Sequence, residues 1–442
     1  MTIQLSDHFT YKKLLRFTFP SIIMMIFSSV YGVVDGFFVS NFVGKTPFAA
    51  VNFIMPFLMI LGTLGFMFGA GGSALVSKTL GEGDNALANK YFSMLVYISI
   101  ACGIVLSALG IVFLRPISAL LGADGQLLED CVTYGRTVLI ALPAFMLQME
   151  FQTFFITAEK PQLGLYVTVA SGVANMVLDA LFVGVFRWGL VGAAAATGIS
   201  QAIGGFCPVL FFALPNSSIL RLTRTKFYGK AFFKTCTNGS SELMSNISMS
   251  LVGMLYNIQL MKYAGENGVA AYGVLMYVNM IFISAFIGYS IGTAPIVGFH
   301  YGAENHSELK SLVKKSLTII GVLSLAMLLM GLLLAVPLSE IFVGYDVQLL
   351  AMTVKGFYVF SFSFLFAGVC IYGSSFFTAL NNGLVSAIVS FLRTLVFQIA
   401  AVMLLPIIWG IDGIWFSIVV AELMAFIVTI LFLYGMKNKY HY

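Results

Sequence analysis

Charged residues are scarce in this sequence. Asp, Glu, Lys and Arg together make up 9% of its 442 residues, whereas a soluble domain carries about 25%. Hydrophobic residues account for 60%, and the mean hydropathy is +0.97. A soluble fold of this length could not keep that much apolar surface from water, so lipid must be the solvent for most of the chain.

Motifs for nucleotide hydrolysis, covalent catalysis and metal binding are also missing. The sequence has no Gly-x-x-x-x-Gly-Lys-Ser/Thr, His-Glu-x-x-His, Gly-x-Ser-x-Gly or Cys-x-x-Cys motif. Its five cysteines are scattered, and its four histidines lie near the chain ends or in loops. We therefore expect no enzyme activity and no cofactor, and an ion gradient or downhill flux as the energy source.

Twelve continuous apolar stretches are long enough to cross a bilayer. A hydrocarbon core of about 30 Å needs roughly 20 apolar residues in a helix. The first stretch is long and no small-residue cleavage site follows it, so we expect no cleavable signal peptide. The predicted spans are 17–40, 47–72, 91–114, 132–157, 163–185, 189–213, 235–262, 269–297, 316–337, 354–379, 384–408 and 411–435.

The distribution of Lys and Arg predicts the orientation in the membrane, since these residues are retained on the cytoplasmic side. Sixteen of the 23 fall on the side of both termini and the central loop. Four fall on the other side, namely Lys45, Arg115, Arg187 and Lys262. We expect cytoplasmic termini in a bacterial or archaeal inner membrane. The net charge of +5 reflects this bias and does not indicate a nucleic-acid partner.

The sequence repeats itself at an offset of 221 residues. Trp188-Gly189 and Gly192 align with Trp409-Gly410 and Gly413, and Gly81 aligns with Gly302. Because each half has six spans, both halves have the same orientation in the membrane. We expect the substrate path to lie between them, near the membrane midplane. The prediction is an all-α integral membrane protein of two six-helix bundles related by a pseudo-two-fold axis along the membrane normal. The N-lobe is 1–214, a basic cytoplasmic linker is 215–234, and the C-lobe is 235–442.

Two acidic residues stand out at bilayer depth, where an ionisable group costs about 2.5–3.5 kcal/mol or more. Asp35 lies in the first span, and Asp179 lies in the fifth, four residues after Asn175 and on the same helical face. Thr197 lies in the sixth span, and no Lys or Arg of the first six spans lies deep enough to neutralise the acids. Carboxylate, amide and hydroxyl oxygens could hold Na⁺, or the acids could share a proton.

Other polar and aromatic residues within the spans are candidates for packing, pairing or substrate contact. We expect Glu422 to make a packing or gating hydrogen bond and Arg393 to pair with an acid or with carbonyls. Abundant aromatics and a few acids suit a lipophilic organic cation. Candidates for substrate or C-lobe contacts are Glu242, near the cytoplasmic end of its helix, and Glu150, Tyr31, Tyr256 and Tyr277.

Several segments resemble the multidrug and toxic compound extrusion (MATE) transporters over nearly the whole chain. Pro20 is followed by 35–39 (DGFFV) and Gly44, which is similar to the family's opening pattern. Its second helix and loop resemble 69–77 (GAGGSALVS) and 81–84 (GEGD), and its last helix pair resembles 409–415 (WGIDGIW) with Ala421-Glu422. The resemblance implies a V-shaped pair of bundles that exports organic compounds by Na⁺ or H⁺ antiport.

The resemblance also implies where the coupling ion binds. In the DNA-damage-inducible F branch, N-lobe polar residues carry the ion, and their pattern maps onto Asp35, Asn175, Asp179 and Thr197. Pro20 matches the helix-1 proline tied to bending in that branch. The NorM branch uses acids in helices 7 and 10; Glu242 is a match, but 354–379 has no acid, which favours the N-lobe.

Three functions follow in order of preference. The first is an ion-coupled exporter of small organic, cationic and lipophilic compounds, expected to be a monomer in lipid. The second is a lipid-linked glycan flippase of the same overall shape, against which the acid-lined interior argues. The third is a membrane-embedded enzyme or assembly subunit, for which no nucleophile, base or metal cluster is found.

Overall fold

The apolar stretches fold as helices, because a backbone in lipid has to satisfy its own hydrogen bonds. The computed structural model describes residues 3–38, 42–43 and 45–442. The first half contains α1 (Tyr11–Phe38), α2 (Lys45–Gly81), α3 (Asn85–Leu120), α4 (Gly125–Ile140 and Leu142–Thr157), α5 (Pro161–Val185) and α6 (Gly189–Ala213). The second half contains α7 (229–264), α8 (266–302), α9 (His306–Val343), α10 (Val347–Ser361 and Phe364–Ala379), α11 (Gly383–Trp409), α12 (Ile411–Gly435) and the short α13 (Lys437–Tyr440).

Three breaks define how the spans are counted. Gly265 has φ 64° and ψ −154°, a conformation that residues with a side chain rarely adopt, and it separates α7 from α8. The two segments of α4 meet at 56° and those of α10 at 50°, at equivalent places in the two halves. In α4 the bend precedes Pro143, which cannot donate to the preceding turn. With each bent pair taken as one span, the described residues form twelve spans, as predicted.

The helices extend beyond the predicted spans at many ends. Hydropathy reports only the part of a helix that crosses lipid, whereas α2 has 37 residues and α9 has 38. Side chains cap the N-terminal ends of α3 and α9 outside the lipid. Asp84 accepts from the Leu87 N–H, and Asn305 accepts from the Glu308 N–H. Part of the opening family pattern, including Val39 and Gly44, lies outside the described residues.

The central linker differs in extent from its prediction. The chain is non-helical over 214–228, and α7 begins at Gly229, so the last six residues of the predicted linker belong to that helix. Phe232 packs on Phe68 with ring centroids 5.8 Å apart, which stabilises this early start. The linker is bound to α3. Arg221 N donates to Asn89 Oδ1 (2.6 Å), and Thr223 N donates to Ser93 Oγ (2.8 Å).

The two halves meet closely at the face that carries the N-terminus. A Cβ on Gly81 of α2 would lie 2.0 Å from the Phe299 carbonyl oxygen, and one on Gly302 of α8 would lie 2.0 Å from the Lys78 carbonyl oxygen. Farther along, Gly253 of α7 and Gly273 of α8 border open space. The crossing at Gly81 and Gly302 follows the pseudo-two-fold axis and holds the halves together on one side of the membrane.

Candidate functional site

Helices α1 and α5 bring two acidic side chains together inside the first half. Asp179 is fully buried and Asp35 is partly accessible, and their carboxyls lie close enough to interact electrostatically. Among the residues that the structure describes, neither acid has a Lys or Arg as an ion-pair partner. Two ionised carboxylates in this position would repel each other, so the pair has the chemistry to share a proton or a cation.

The surroundings leave several oxygen atoms of this pair without hydrogen-bond donors. Asp35 Oδ1, both carboxylate oxygens of Asp179 and the Asn175 side-chain oxygen are buried and accept no hydrogen bond within the described chain. Buried polar atoms are nearly always paired, so this cluster of unpaired acceptors is a candidate site for a group that donates hydrogen bonds or carries positive charge. Directly after Asp179, α5 widens into a π-helical turn, Ala180–Val185, a feature that is frequent at functional sites.

We call the cluster of Asp35, Asp179 and Asn175 the carboxyl site. Thr197 of α6 and Tyr134 of α4 lie beside it. The Thr197 hydroxyl donates to the Ala193 carbonyl (3.0 Å), which leaves its lone pairs available to accept. Tyr134 is buried, lies beside the Thr197 hydroxyl and interacts electrostatically with both acids. The sequence interpretation missed Tyr134, whose phenol lies inside a predicted span.

Tyr31 is held next to Asp35 by a chain of polar side chains. Its neighbours include Asp35 and Gln148, and Gln148 Nε2 donates to Ser171 Oγ (3.2 Å), which donates to the Ser200 carbonyl (2.7 Å). Gln148 fits because Gly204 faces it: a Cβ there would lie 2.6 Å from the amide carbon. Sequence reasoning placed Tyr31 among substrate contacts; the structure places it at the carboxyl site, with Gln148 as a residue not foreseen.

A small apolar pocket of about 40 Å³ adjoins the same wall. Thr197 and Gln201 supply its polar atoms, and the rest of its lining is Met55, Leu58, Met59, Val138, Leu139, Leu142 and Phe145. The Gln201 side-chain oxygen accepts no hydrogen bond among the described residues. The pocket and the carboxyl site therefore share Thr197.

Pro20 lies about four helical turns from Asp35, toward the N-terminal face. It removes one backbone donor from α1 and leaves the Arg16 carbonyl without its helical partner, yet the helix runs unbroken from Tyr11 to Phe38. Pro20 and Arg16 border a cavity of about 470 Å³ between α1 and the start of α5. The space on that side gives α1 room to change its curvature.

Three of the remaining candidates lie in the second half and do not join the carboxyl site. Tyr256 is buried, donates to Gln398 Oε1 (2.7 Å) and stacks on Tyr272 at 5.2 Å. Tyr277 is 47% exposed and stacks on Phe342. Glu242 is half-buried on α7; because that helix starts at Gly229, Glu242 lies about 20 Å along it, which corrects the prediction that it is near the helix end.

Two further acids have settled positions inside their lobes. Glu150 of α4 is 0% exposed and lies beside Ser99 of α3, and neither of its carboxyl oxygens accepts a hydrogen bond among the described residues. Glu422 of α12 accepts from Arg393 Nε at 3.1 and 2.9 Å through its two oxygens. The prediction that Arg393 pairs with an acid is confirmed, and this lobe carries a balanced charge pair.

Comparison with known proteins matches this architecture. The MatE family model matches residues 20–181 and again residues 243–404, so each half corresponds to one copy. The chain belongs to the MatE family. The second match independently confirms the internal repeat, and the membership confirms a transporter rather than an enzyme.

Curated relatives and solved structures cover almost the whole MatE chain. Multidrug export protein MepA of Staphylococcus haemolyticus is 22% identical over 433 residues, which is 97% of this chain and 94% of the relative. MepA of Staphylococcus aureus strain MRSA252 is 22% identical with the same coverage. A structure described as the outward-facing conformation of a multidrug resistance MATE family transporter has a TM-score of 0.93 at 22% identity, with 98% and 97% of the two chains covered. A MATE crystal structure in complex with MaL6 has a TM-score of 0.92 at 22% identity, with 98% of each chain covered. The predicted two-bundle fold is confirmed.

Proposed function

We propose that this MatE chain is a secondary active exporter of small organic compounds, driven by Na⁺ or H⁺ that binds between Asp35 and Asp179. The observation that carries the proposal is the proximity of these two carboxyls at membrane depth without a basic partner among the described residues. Two ionised groups about 4 Å apart would repel by roughly 4 kcal/mol at an effective dielectric of 20. An ion that neutralises the pair removes this repulsion.

Ion binding and release would change how α1 sits against α5. With the ion bound, Asp35 and Asp179 attract the same cation, and Asn175 and Thr197 supply further oxygen ligands. Without it, repulsion favours separation of the two helices, and Pro20 is the position at which α1 would bend most readily. Exchange of the ion for substrate then follows from alternating access of the site to the two sides of the membrane.

The lining next to the site favours lipophilic organic cations as substrates. Methionine side chains such as Met55 and Met59 adapt to different shapes, Phe145 and Tyr31 present ring faces, and the acids attract positive charge. The multidrug export function in the names of the MepA relatives supports the same class. We propose that a monomer in lipid performs the transport.

The proposed orientation places both termini in the cytoplasm of a bacterial or archaeal cell. The helix bounds support it, since Arg115, Arg187 and Lys262 lie near the ends of α3, α5 and α7 that point away from the N-terminal face. The more numerous basic residues lie at the other ends. The closed crossing at Gly81 and Gly302 is then cytoplasmic.

Transport by purified protein in liposomes tests the proposal. A fluorescent lipophilic cation is followed under an imposed Na⁺ gradient, a pH gradient, both or neither, for the natural chain and for Asp35→Asn and Asp179→Asn. We expect each variant to lose gradient-driven transport. Asp124→Asn serves as the matched control, because Asp124 is exposed and its side chain makes no capping bond. Full gradient-driven transport by both site variants would refute the site.

A further inference from the structure

The first residues of the chain form a non-helical strap, defined as residues 3–10, that lies against both halves. Although the strap precedes the first helix, Leu5 and Phe9 are 0% exposed. The Phe9 ring contacts Phe17 of α1 at 6.0 Å and His300 of α8 at 6.5 Å between centroids. A terminal segment is usually poorly ordered unless it is tied down, so this burial needs a cause.

One end of the strap is bound to the first half. The Leu5 N–H donates to Glu159 Oε1 at 2.7 Å. Glu159 lies in the turn between α4 and α5 and adopts φ 60°, an uncommon conformation for a residue with a side chain. The turn therefore presents its carboxylate to the strap.

The other end is bound to the second half through Glu308. The Phe9 N–H donates to Glu308 Oε1 (2.9 Å), and His8 Nδ1 lies 2.7 Å from Oε2. The Lys315 ammonium, about two helical turns further along α9, donates to the Phe9 carbonyl. Glu308 is 6% exposed, so both of its oxygens depend on the strap for hydrogen bonds among the described residues.

We propose that the strap is a latch that holds the two halves together at the N-terminal face, and that Glu308 is its anchor, a positioning residue of the transport cycle. The strap continues into α1 of the first half and is bound to Glu308 of the second half, so the face cannot open unless the bonds at Glu308 break. Bonds from a buried carboxylate to backbone N–H groups are among the stronger hydrogen bonds in proteins. The inference rests on the proposed cycle only in that this face has to open; it does not depend on the ion site.

The test measures the distance across the N-terminal face by pulsed electron paramagnetic resonance in lipid nanodiscs. Spin labels on Lys90→Cys of α3 and Lys310→Cys of α9, both exposed, report closed and open populations once the five natural cysteines are replaced. We expect Glu308→Gln to lower the closed-to-open ratio about tenfold, because the neutral amide keeps one acceptor and loses the charge. Glu304→Gln, exposed in the same turn, should leave the ratio unchanged.

A chain without the strap tests whether Glu308 acts through the strap or only stabilises its own surroundings. In a chain that lacks residues 2–9, the ratio should already be lowered, and Glu308→Gln should lower it no further. The same tenfold effect of Glu308→Gln with and without the strap would overturn the proposal, as would an unchanged ratio in the full chain. The strapless chain keeps the proposal testable if the Glu308 variant does not fold, since an unchanged ratio in that chain would also overturn it. Failure of the ion site would instead appear as full transport by the Asp35 and Asp179 variants, with these distances unaffected.

Discussion

The glycine at the crossing of α2 and α8 gives a prediction whose size can be worked out. Gly81→Ala adds a Cβ that would lie 2.0 Å from the Phe299 carbonyl oxygen, whereas ordinary contact begins at 3.4 Å. The neighbour is backbone, so no side chain can rotate away and the helices have to separate. Overpacking of this kind costs about 1–3 kcal/mol, and it acts only when the crossing is closed.

The change in helix propensity does not enter the comparison of the two conformations. Alanine favours a helix over glycine by about 1 kcal/mol, but α2 is a helix whether the N-terminal face is closed or open, so this gain cancels. At about 1.4 kcal/mol for each factor of ten, the closed-to-open ratio should fall by roughly 5- to 150-fold. Gly302→Ala, its symmetry mate, should act in the same way.

The distance measurement between positions 90 and 310 reads this ratio directly. Gly321→Ala in α9 is the control, because a Cβ there meets no heavy atom within 4 Å. It should leave the distances unchanged and raise thermal stability slightly. A Gly81→Ala protein with the same closed fraction as the control would show that the close approach does not hold the halves together.

Three further predictions concern the interiors of the lobes. Arg393→Leu should lower the free energy of unfolding in detergent by about 3–5 kcal/mol, because it strands a buried carboxylate; adding Glu422→Leu should restore most of it, and a further loss would contradict the reasoning. Tyr134→Phe should weaken the apparent affinity for the driving ion about tenfold in liposomes, since a hydroxyl beside two acids is lost; an unchanged affinity would remove Tyr134 from the site. Gly204→Ala should displace Gln148 and reduce transport at normal expression, whereas the Gly321→Ala control should transport normally.

The spans were predictable because hydropathy reports directly on the solvent around a helix. The bounds of α6 and α12 agree with the prediction at both ends, since a Trp-Gly turn precedes each of them and marks its start. The start of α7 was missed by six residues. Its first turns carry Lys230 and Lys234 on an exposed face, and they are held by the packing of Phe232 on Phe68, a contact that local composition does not reveal.

The sequence predicted those residues of the candidate site that are charged within an apolar span. It did not predict the residues around them. Asp35 and Asp179 are costly in lipid wherever they point, so their positions in the sequence alone marked them. The contribution of Gln148 depends on a glycine of another helix that leaves room for its side chain. The burial of Leu5 likewise depends on Glu159, more than 150 positions away, and no short-range pattern encodes such a contact.

The two halves differ in whether a buried acid has a basic partner, and this difference bears on where the driving ion acts. At the 221-residue offset, Arg393 occupies the place of Gly172, where a Cβ would lie 2.5 Å from the Phe27 ring. The second half therefore pairs Glu422 with a resident cation, whereas in the first half Asp35 and Asp179 have no basic partner among the described residues, and the place equivalent to Arg393 has no room for one. We therefore expect the driving ion to act at the pair of acids in the first half. If this reasoning holds, the Arg393→Leu, Glu422→Leu double variant still transports in response to the ion gradient. Loss of that response in a folded double variant would place the coupling charge in the second half.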